Sequence, residues 1–299
     1  MLRIQSSSLQ VDVLPEVGGK VGQIRDRPSG RELLIAPQKP YRTIPPDGEW
    51  IEYDTSGMDD CFPNIGAGPY PADPSGALQL RDLGEWTHGC WDVVEAAADH
   101  VVLERPGHAL PYFARKTVRF AGERTVEFAY FVENRGTSAL RYMWAAHPLI
   151  AVEGPFEVKL PPGDLTFRTF PTDGKEHVWP QFDSVDLSHE WIQRGKDLKV
   201  FVSGLTEGWC ELRLPEHILR FTFDLSMTPV VGVWFNHFGF PAGDSTPFRC
   251  VAVEPCTSSS DVLDELPESA YSRIEPGGSA AWSLRLEIGT ASPGRLADA

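Results

Sequence analysis

One carboxylate, two histidines and a set of acidic and aromatic residues are the side chains here whose types and spacing fit proton transfer on a small polar ligand. Glu254 closes the segment Phe248-Arg249-Cys250-Val251-Ala252-Val253-Glu254, which reads as a strand. Alternation places Phe248, Cys250, Ala252 and Glu254 on one face and Val251 and Val253 on the other. The first face shrinks to Cys and Ala just before the acid, which leaves room above the sheet for a ligand. Pro255 follows, so Glu254 is expected at the last rung of its strand. A carboxylate among apolar neighbours has its pKa raised and can act as a general base; a strand-end Glu in a salt bridge is the structural alternative.

His88 lies in Thr87-His88-Gly89-Cys90-Trp91-Asp92, where the glycine points to a tight turn that presents the imidazole. His147 ends a second alternating stretch. There Leu140, Tyr142, Trp144 and Ala146 form the core set, and Arg141, Met143, Ala145 and His147 the other. The second set thins to Ala145 beside His147, as Ala252 does beside Glu254. The segment Val231-Gly232-Val233-Trp234-Phe235-Asn236-His237 runs from a strand into a polar, aromatic loop. There the Trp234 indole can stack on the C–H face of a sugar while the Asn236 amide bonds its hydroxyls. Each group has a structural alternative: satisfied histidines, a core tryptophan, solvated loop acids. His88, His147, His237 and Glu254 are metal-ligand types, but no HxH or HxxxH pair brings them together, and no metal or cofactor is expected.

These groups must be positioned by strands. Leu9 to Val13 alternates, and residues 21–36 read as a hairpin around Pro28-Ser29-Gly30. Residues 37–86 are rich in Pro, Gly and Asp with little periodicity, and their aromatics mark packed, functional loops. Strands are expected at 101–104, 115–120, 125–133, 198–202, 209–214, 218–225 and 230–235, with a last one through Trp282, Leu284, Leu286 and Ile288 before a polar, frayed tail. Residues 153–197 read as irregular, and the single helical hint lies within 261–265. Many short strands and almost no helix predict an all-β fold, a large antiparallel β-sandwich, with residues 1–299 as one domain.

Composition narrows the function. The formal net charge is −15, and the isoelectric point is near 4.9. Nucleic-acid binding, which needs a basic face, is therefore not expected. Five unclustered cysteines suit a reducing compartment better than a disulfide framework. The start, Met1 to Ser6, has no long apolar run behind its lone Arg3, and no window approaches the length of a membrane span. The expectation is a cytoplasmic protein without a membrane partner; its oligomeric state is left open.

Taken in order, the segments resemble the galactose mutarotase-like family, the aldose 1-epimerases and their hexose-6-phosphate relatives. The resemblance covers nearly the whole chain. Leu14-Pro15-Glu16-Val17-Gly18-Gly19-Lys20-Val21 is similar to that family's opening strand and glycine turn, and Cys61-Phe62-Pro63-Asn64-Ile65-Gly66 to its FPxxG segment. His88-Gly89 stands where the family has an HG motif, and His147 follows a strand of the kind that carries its second histidine. Val230 to Asn236 resembles VVVWN, Val253-Glu254-Pro255 the strand of the catalytic glutamate, and Ile274-Glu275-Pro276-Gly277-Gly278 the closing turn. The sugar-phosphate relatives carry an Arg and two glycines before FP and an Arg soon after HG. Here Thr55 to Asp60 and His88 to Asp92 hold neither arginine, and acids lie nearby, so an unphosphorylated sugar or sugar derivative is implied.

The resemblance implies an isomerase that interconverts α and β anomers. Glu254 would take the anomeric proton and a protonated His147 would give one to the ring oxygen. His88 would hold that oxygen or a neighbouring hydroxyl. Trp91, Trp234, Asn236, Asp59, Asp60 and Asp92 would contact the sugar. A carbohydrate-binding or sugar-sensing protein on the same scaffold is the alternative, since fold does not fix function. A glycoside-cleaving enzyme would need a second carboxylate about 5 to 9.5 Å from Glu254, and only Asp59, Asp60 or Asp92 offer one.

Overall fold

The computed structural model describes residues 1–73, 75–241 and 248–291. Strands dominate it, and four one-turn 3-10 helices are the helical elements among the described residues. Two antiparallel sheets carry the architecture. The larger has eleven strands. Its spatial order begins Leu2–Gln5, Leu9–Leu14, Lys20–Asp26, Met58–Cys61, Ala145–Pro148. It continues Arg249–Cys256, Val230–His237, Lys196–Ser203, Thr166–Phe170, His177–Val178, and Ile150–Ala151 adds to the Arg249–Cys256 strand. The second sheet has eight strands, with Ser279–Thr290, Thr125–Asn134 and Tyr112–Gly122 at its centre. This is the antiparallel sandwich expected from the density of short strands.

The core lies between the sheets. The smaller sheet's alternation is visible in Ser279–Thr290, where Trp282, Leu284, Leu286 and Ile288 are buried and the residues between them are exposed. The central strands of the larger sheet are covered on both faces. Every residue of Arg249–Cys256 after Arg249 is buried, as is every residue of Val230–His237 before His237. Charge is also buried between the sheets. Lys116, from the smaller sheet, forms an ion pair with Asp60 of the larger and donates to the Gly19 carbonyl at 3.0 Å, while the Tyr130 hydroxyl donates to Asp60 at 2.6 Å.

Several local expectations are corrected. Residues 37–86 contain a central strand, Met58–Cys61, which pairs with Ala145–Pro148. Its Met-Asp-Asp-Cys sequence has no alternation because both faces are buried. Residues 140–148 are two strands rather than one: Leu140–Tyr142 pairs with Ser272–Ile274 in a small sheet, and Ala145–Pro148 joins the large one. Residues 153–197 hold short strands, including Glu157–Lys159 and Thr166–Phe170. Glu254 is not at the last rung, because its strand runs on through Pro255 and Cys256, paired with Val231 and Val230. On the other side of that strand Ala145 pairs with Cys256 and Ile150 with Val251, and no described residue is paired with 252–255. That gap in the ladder is where a residue without an N–H is tolerated. The helical hint at 261–265 is one 3-10 turn, Leu263–Glu265. The polar tail from residue 292 on lies outside the described residues.

Candidate active site

Register decides which side chains meet. Glu254 pairs with Gly232, which pairs with Phe201; Ala252 pairs with Trp234, which pairs with Lys199. Across the other edge Ala145 pairs with Cys256 and His147 with Asp59. Paired residues share a face and residues two apart share it too. Asp59, His147, Glu254, Trp234 and Lys199 therefore stand together on the face of the large sheet turned away from the sandwich core. Asp60, one residue on from Asp59, points the opposite way into that core. The small residues at Ala252 and Gly232 make the space. A Cβ on Gly232 would lie 3.3 Å from Glu254 Cβ and 3.5 Å from its Oε2.

Above this face is a cavity of about 220 Å³, lined by His147, Lys199, Trp234, Asp82, Asp261 and Asp197 together with the apolar surfaces of Trp50, Ile65, Leu83, Phe170, Pro171 and Phe240. Drug-sized pockets run from about 300 to 1,000 Å³, so this one suits a single small ring. Its walls are aromatic. Trp50 stacks on Phe240 at 6.1 Å between centroids, and Trp234 meets Phe240 edge-on at 5.4 Å. The His147 ring is held between Trp50, edge-on at 6.0 Å, and Trp234, stacked at 6.0 Å.

Glu254 lies just beneath the cavity floor, fully buried, and His147 and Lys199 cover it. Its Oε1 is 3.7 Å from His147 Nε2 and has no hydrogen-bond partner among the described residues. Its Oε2 is 2.8 Å from Lys199 Nζ, which is also 2.8 Å from Asp261 Oδ1. Burial raises the Glu254 pKa, opposed in part by Lys199. Burial, and then the charge of Lys199, push His147 down to about 3, and its Nδ1 has no partner among the described residues. Burial therefore favours the neutral imidazole in the ligand-free site, whereas the family resemblance implies a protonated His147. Burial works against the Lys199 charge, but Asp261 and Glu254 outweigh it and hold that ammonium above its ordinary pKa. At the rim, burial and the nearby Asp261 push Asp82 up to about 6.

Behind Trp50 is a second buried ion cluster. Asp59 Oδ2 accepts from Trp50 Nε1 at 3.1 Å and lies 3.2 Å from Lys20 Nζ, which is 2.5 Å from Asp54. Burial pushes Asp59 up to about 6. Asp59 thus anchors an indole of the cavity wall and does not reach the cavity itself.

The remaining sequence-derived candidates lie elsewhere. Asn236 is buried, with its amide donating to the Phe240 carbonyl at 2.8 Å and accepting from the Gly239 and Phe240 N–H groups at 3.0 and 2.9 Å. It shapes the loop that carries Phe240. His88 is buried on a separate cavity of about 170 Å³ with Arg105 and Glu85. Its Nε2 is 3.2 Å from the Gly48 carbonyl, to which it can donate, while Nδ1 lies 2.9 Å from the Thr87 hydroxyl, from which it can accept, and 2.8 Å from the Gly84 carbonyl. Burial lowers its pKa. Trp91 donates to the Trp86 carbonyl at 3.1 Å and packs against Gly19, and Asp92 is exposed at the start of Asp92–Ala96. The structure brings Glu254, His147 and Trp234 together, with Asp59 one layer back, and leaves His88, Asp60, Trp91 and Asp92 apart from them. Among the described residues no group of three or more His, Cys, Asp or Glu is arranged to hold a metal ion.

Solved structures share this arrangement of sheets. A protein from Escherichia coli K12 described as a candidate aldose 1-epimerase superposes with a TM-score of 0.73 at 13% identity, covering 97% of this chain and 99% of its own. A galactose mutarotase-like protein from Lactobacillus casei gives 0.70 at 15% identity, with 97% and 100% covered. One from Clostridium acetobutylicum gives 0.68 at 14%, with 97% and 95% covered. The chain has the galactose mutarotase-like fold. No family model matches it, and no curated protein matches it in sequence. Lys199, Asp261 and Asp82 were missed by sequence reasoning, and Trp50 was read only as one of the aromatics of the functional loops at 37–86. Lys199 carried a usable signal: a lysine inside the run Leu198-Lys199-Val200-Phe201-Val202, where a central strand should be apolar on both faces. Trp50, Asp82 and Asp261 sit outside regular strands, where periodicity has nothing to report.

Proposed function

We propose that this protein is an isomerase that interconverts the α and β anomers of an unphosphorylated monosaccharide, with Glu254 as its general base. One observation carries the reading: a buried carboxylate whose Oε1 has no hydrogen-bond partner among the described residues lies 3.7 Å from a histidine under an aromatic-walled cavity. The galactose mutarotase-like fold supports it. Burial tunes Glu254 toward the working pH by raising its pKa. The anomeric hydroxyl enters between the His147 ring and Lys199 Nζ, which cover the carboxylate, and passes its proton to Oε1. Trp234 and Trp50 take the apolar face of the ring, and Asp82, Asp197 and Asp261 accept from its hydroxyls. The acids disfavour a phosphorylated sugar. The test is anomer exchange followed by NMR across a panel of aldoses. The reading expects saturable acceleration for at least one neutral sugar, lost in Glu254→Gln.

A second reading, sugar binding without turnover, is favoured by the Lys199 contact that covers Glu254. Saturable binding with no faster anomer exchange would select it.

A further inference from the structure

We propose that Lys199, rather than a protonated His147, hands the proton to the sugar's ring oxygen. This assignment rests on the anomer-exchange reading above. Ring opening needs two transfers at one carbon. A base removes the proton of the anomeric hydroxyl, and an acid protonates the ring oxygen as its bond to that carbon breaks. The acid must carry a proton it can lose to leave a stable species. A neutral imidazole would have to become an imidazolate, and burial disfavours the imidazolium of His147 in the ligand-free site.

Lys199 meets the geometric requirement. Its side chain lines the cavity, and it is the one lysine or arginine among the described lining residues. Its Nζ is 2.8 Å from Glu254 Oε2, so the acid and the base are adjacent, as two oxygens bonded to one carbon require. The groups facing it are Glu254, Asp261 on its other side at 2.8 Å, His147 across the floor, Asp82 at the rim, and the Phe201 ring 5.3 Å beneath the ammonium. The two carboxylates hold the ammonium protonated at rest. When Glu254 accepts the anomeric proton it becomes neutral, and Lys199 loses one of its two counter-charges. Its acidity therefore rises at the moment a proton is needed.

The step balances. The O–H pair of the anomeric hydroxyl becomes the second bond of the aldehyde. The pair of the broken bond between that carbon and the ring oxygen takes the Lys199 proton. Glu254 becomes a carboxylic acid and Lys199 an amine, and at 2.8 Å the acid passes its proton to the amine, which restores the ion pair beside the open-chain aldehyde. After the aldehyde rotates, reclosure on its other face runs the same transfers in reverse and needs no proton from solvent. His147, whose ring is clamped between Trp50 and Trp234, accepts or donates a hydrogen bond without changing charge.

The experiment is NMR anomer exchange with the best sugar of the panel, giving kcat, KM and a pH profile for the wild type, Lys199→Arg, Lys199→Met and His147→Gln. Lys199→Met leaves two buried carboxylates unpaired, so Lys199→Arg, which keeps the charge but cannot release a proton, is measured beside it with thermal melting of each. The assignment predicts that Lys199→Arg melts close to the wild type yet loses on the order of 100-fold or more in kcat. It also predicts a wild-type rate that does not fall as pH rises through about 6.5, the ordinary histidine value. Wild-type kcat in Lys199→Arg would overturn it. So would a falling limb near that pH that disappears in His147→Gln. If the wild type accelerates no sugar, the anomer-exchange reading itself fails, and this assignment with it.

Discussion

At the scale of single residues, the site is governed by how burial and pairing set protonation. His147 gives a sign that can be checked. Its pKa is 6.5 in an unfolded chain and about 3 in the folded one. Between those values the unfolded chain binds more protons, so stability rises with pH across that window and falls as acid is added. Asp59 opposes it, because its folded pKa of about 6 lies above the unfolded 3.8. In that range the folded chain holds more protons, and stability falls as pH rises. Replacing His147 with Gln should leave a protein that loses less stability than the wild type between about pH 6.5 and 4.5. The difference should be at most about 1.4 kcal/mol per pH unit, read from urea midpoints at each pH. An unchanged pH dependence would mean that His147 is not buried neutral.

At the scale of elements, the cavity depends on a gap and a loop. Gly232 leaves room for the Glu254 carboxylate on the adjoining strand, since a Cβ there would meet it at 3.3 to 3.5 Å. Gly232→Ala is expected to displace Glu254 from Lys199 and lower kcat, with a stability loss within the range of about 1 to 3 kcal/mol for overpacking; steady-state anomer exchange and melting separate the two. Asn236 ties its loop with three hydrogen bonds. Asn236→Ala should cost about 1 to 3 kcal/mol and raise KM by freeing Phe240 from its stack on Trp50. The strand of Glu254 was legible in sequence because alternation survives where one face must shrink to admit a ligand. So was the face of small residues at Cys250 and Ala252. The strand Met58–Cys61 was not legible, because its two adjacent acids point to opposite faces and each is neutralised by a lysine distant in sequence. The loops that bring Trp50, Asp82 and Asp261 to the cavity were unreadable for a related reason: their conformation is set by long-range packing, which leaves no period.

Across the whole molecule, buried ion pairs fasten the sandwich. Lys116 reaches from the smaller sheet to Asp60 in the larger, where Tyr130 also bonds. Lys116→Met would strand a buried carboxylate and should destabilise the protein by about 3 to 5 kcal/mol, measured by chemical denaturation, while Asp60→Asn should soften that loss in the double variant. The net charge of −15 sets a field that repels anions from a cavity already lined by acids. A sugar phosphate should therefore compete more weakly than its neutral parent, and the gap should narrow as salt is added. The order of motifs along the chain made this fold legible, whereas the separation of His88 from Glu254 was not, since an HG turn says where a histidine bends the chain and not which cavity it lines.

The most direct test of the account is anomer exchange in the wild type and in Glu254→Gln at neutral pH, with both proteins shown to be folded by their melting curves. The account predicts that the wild type speeds exchange of a neutral aldose saturably and that Glu254→Gln loses about 100- to 10,000-fold of that rate. Equal rates in the two proteins would contradict it.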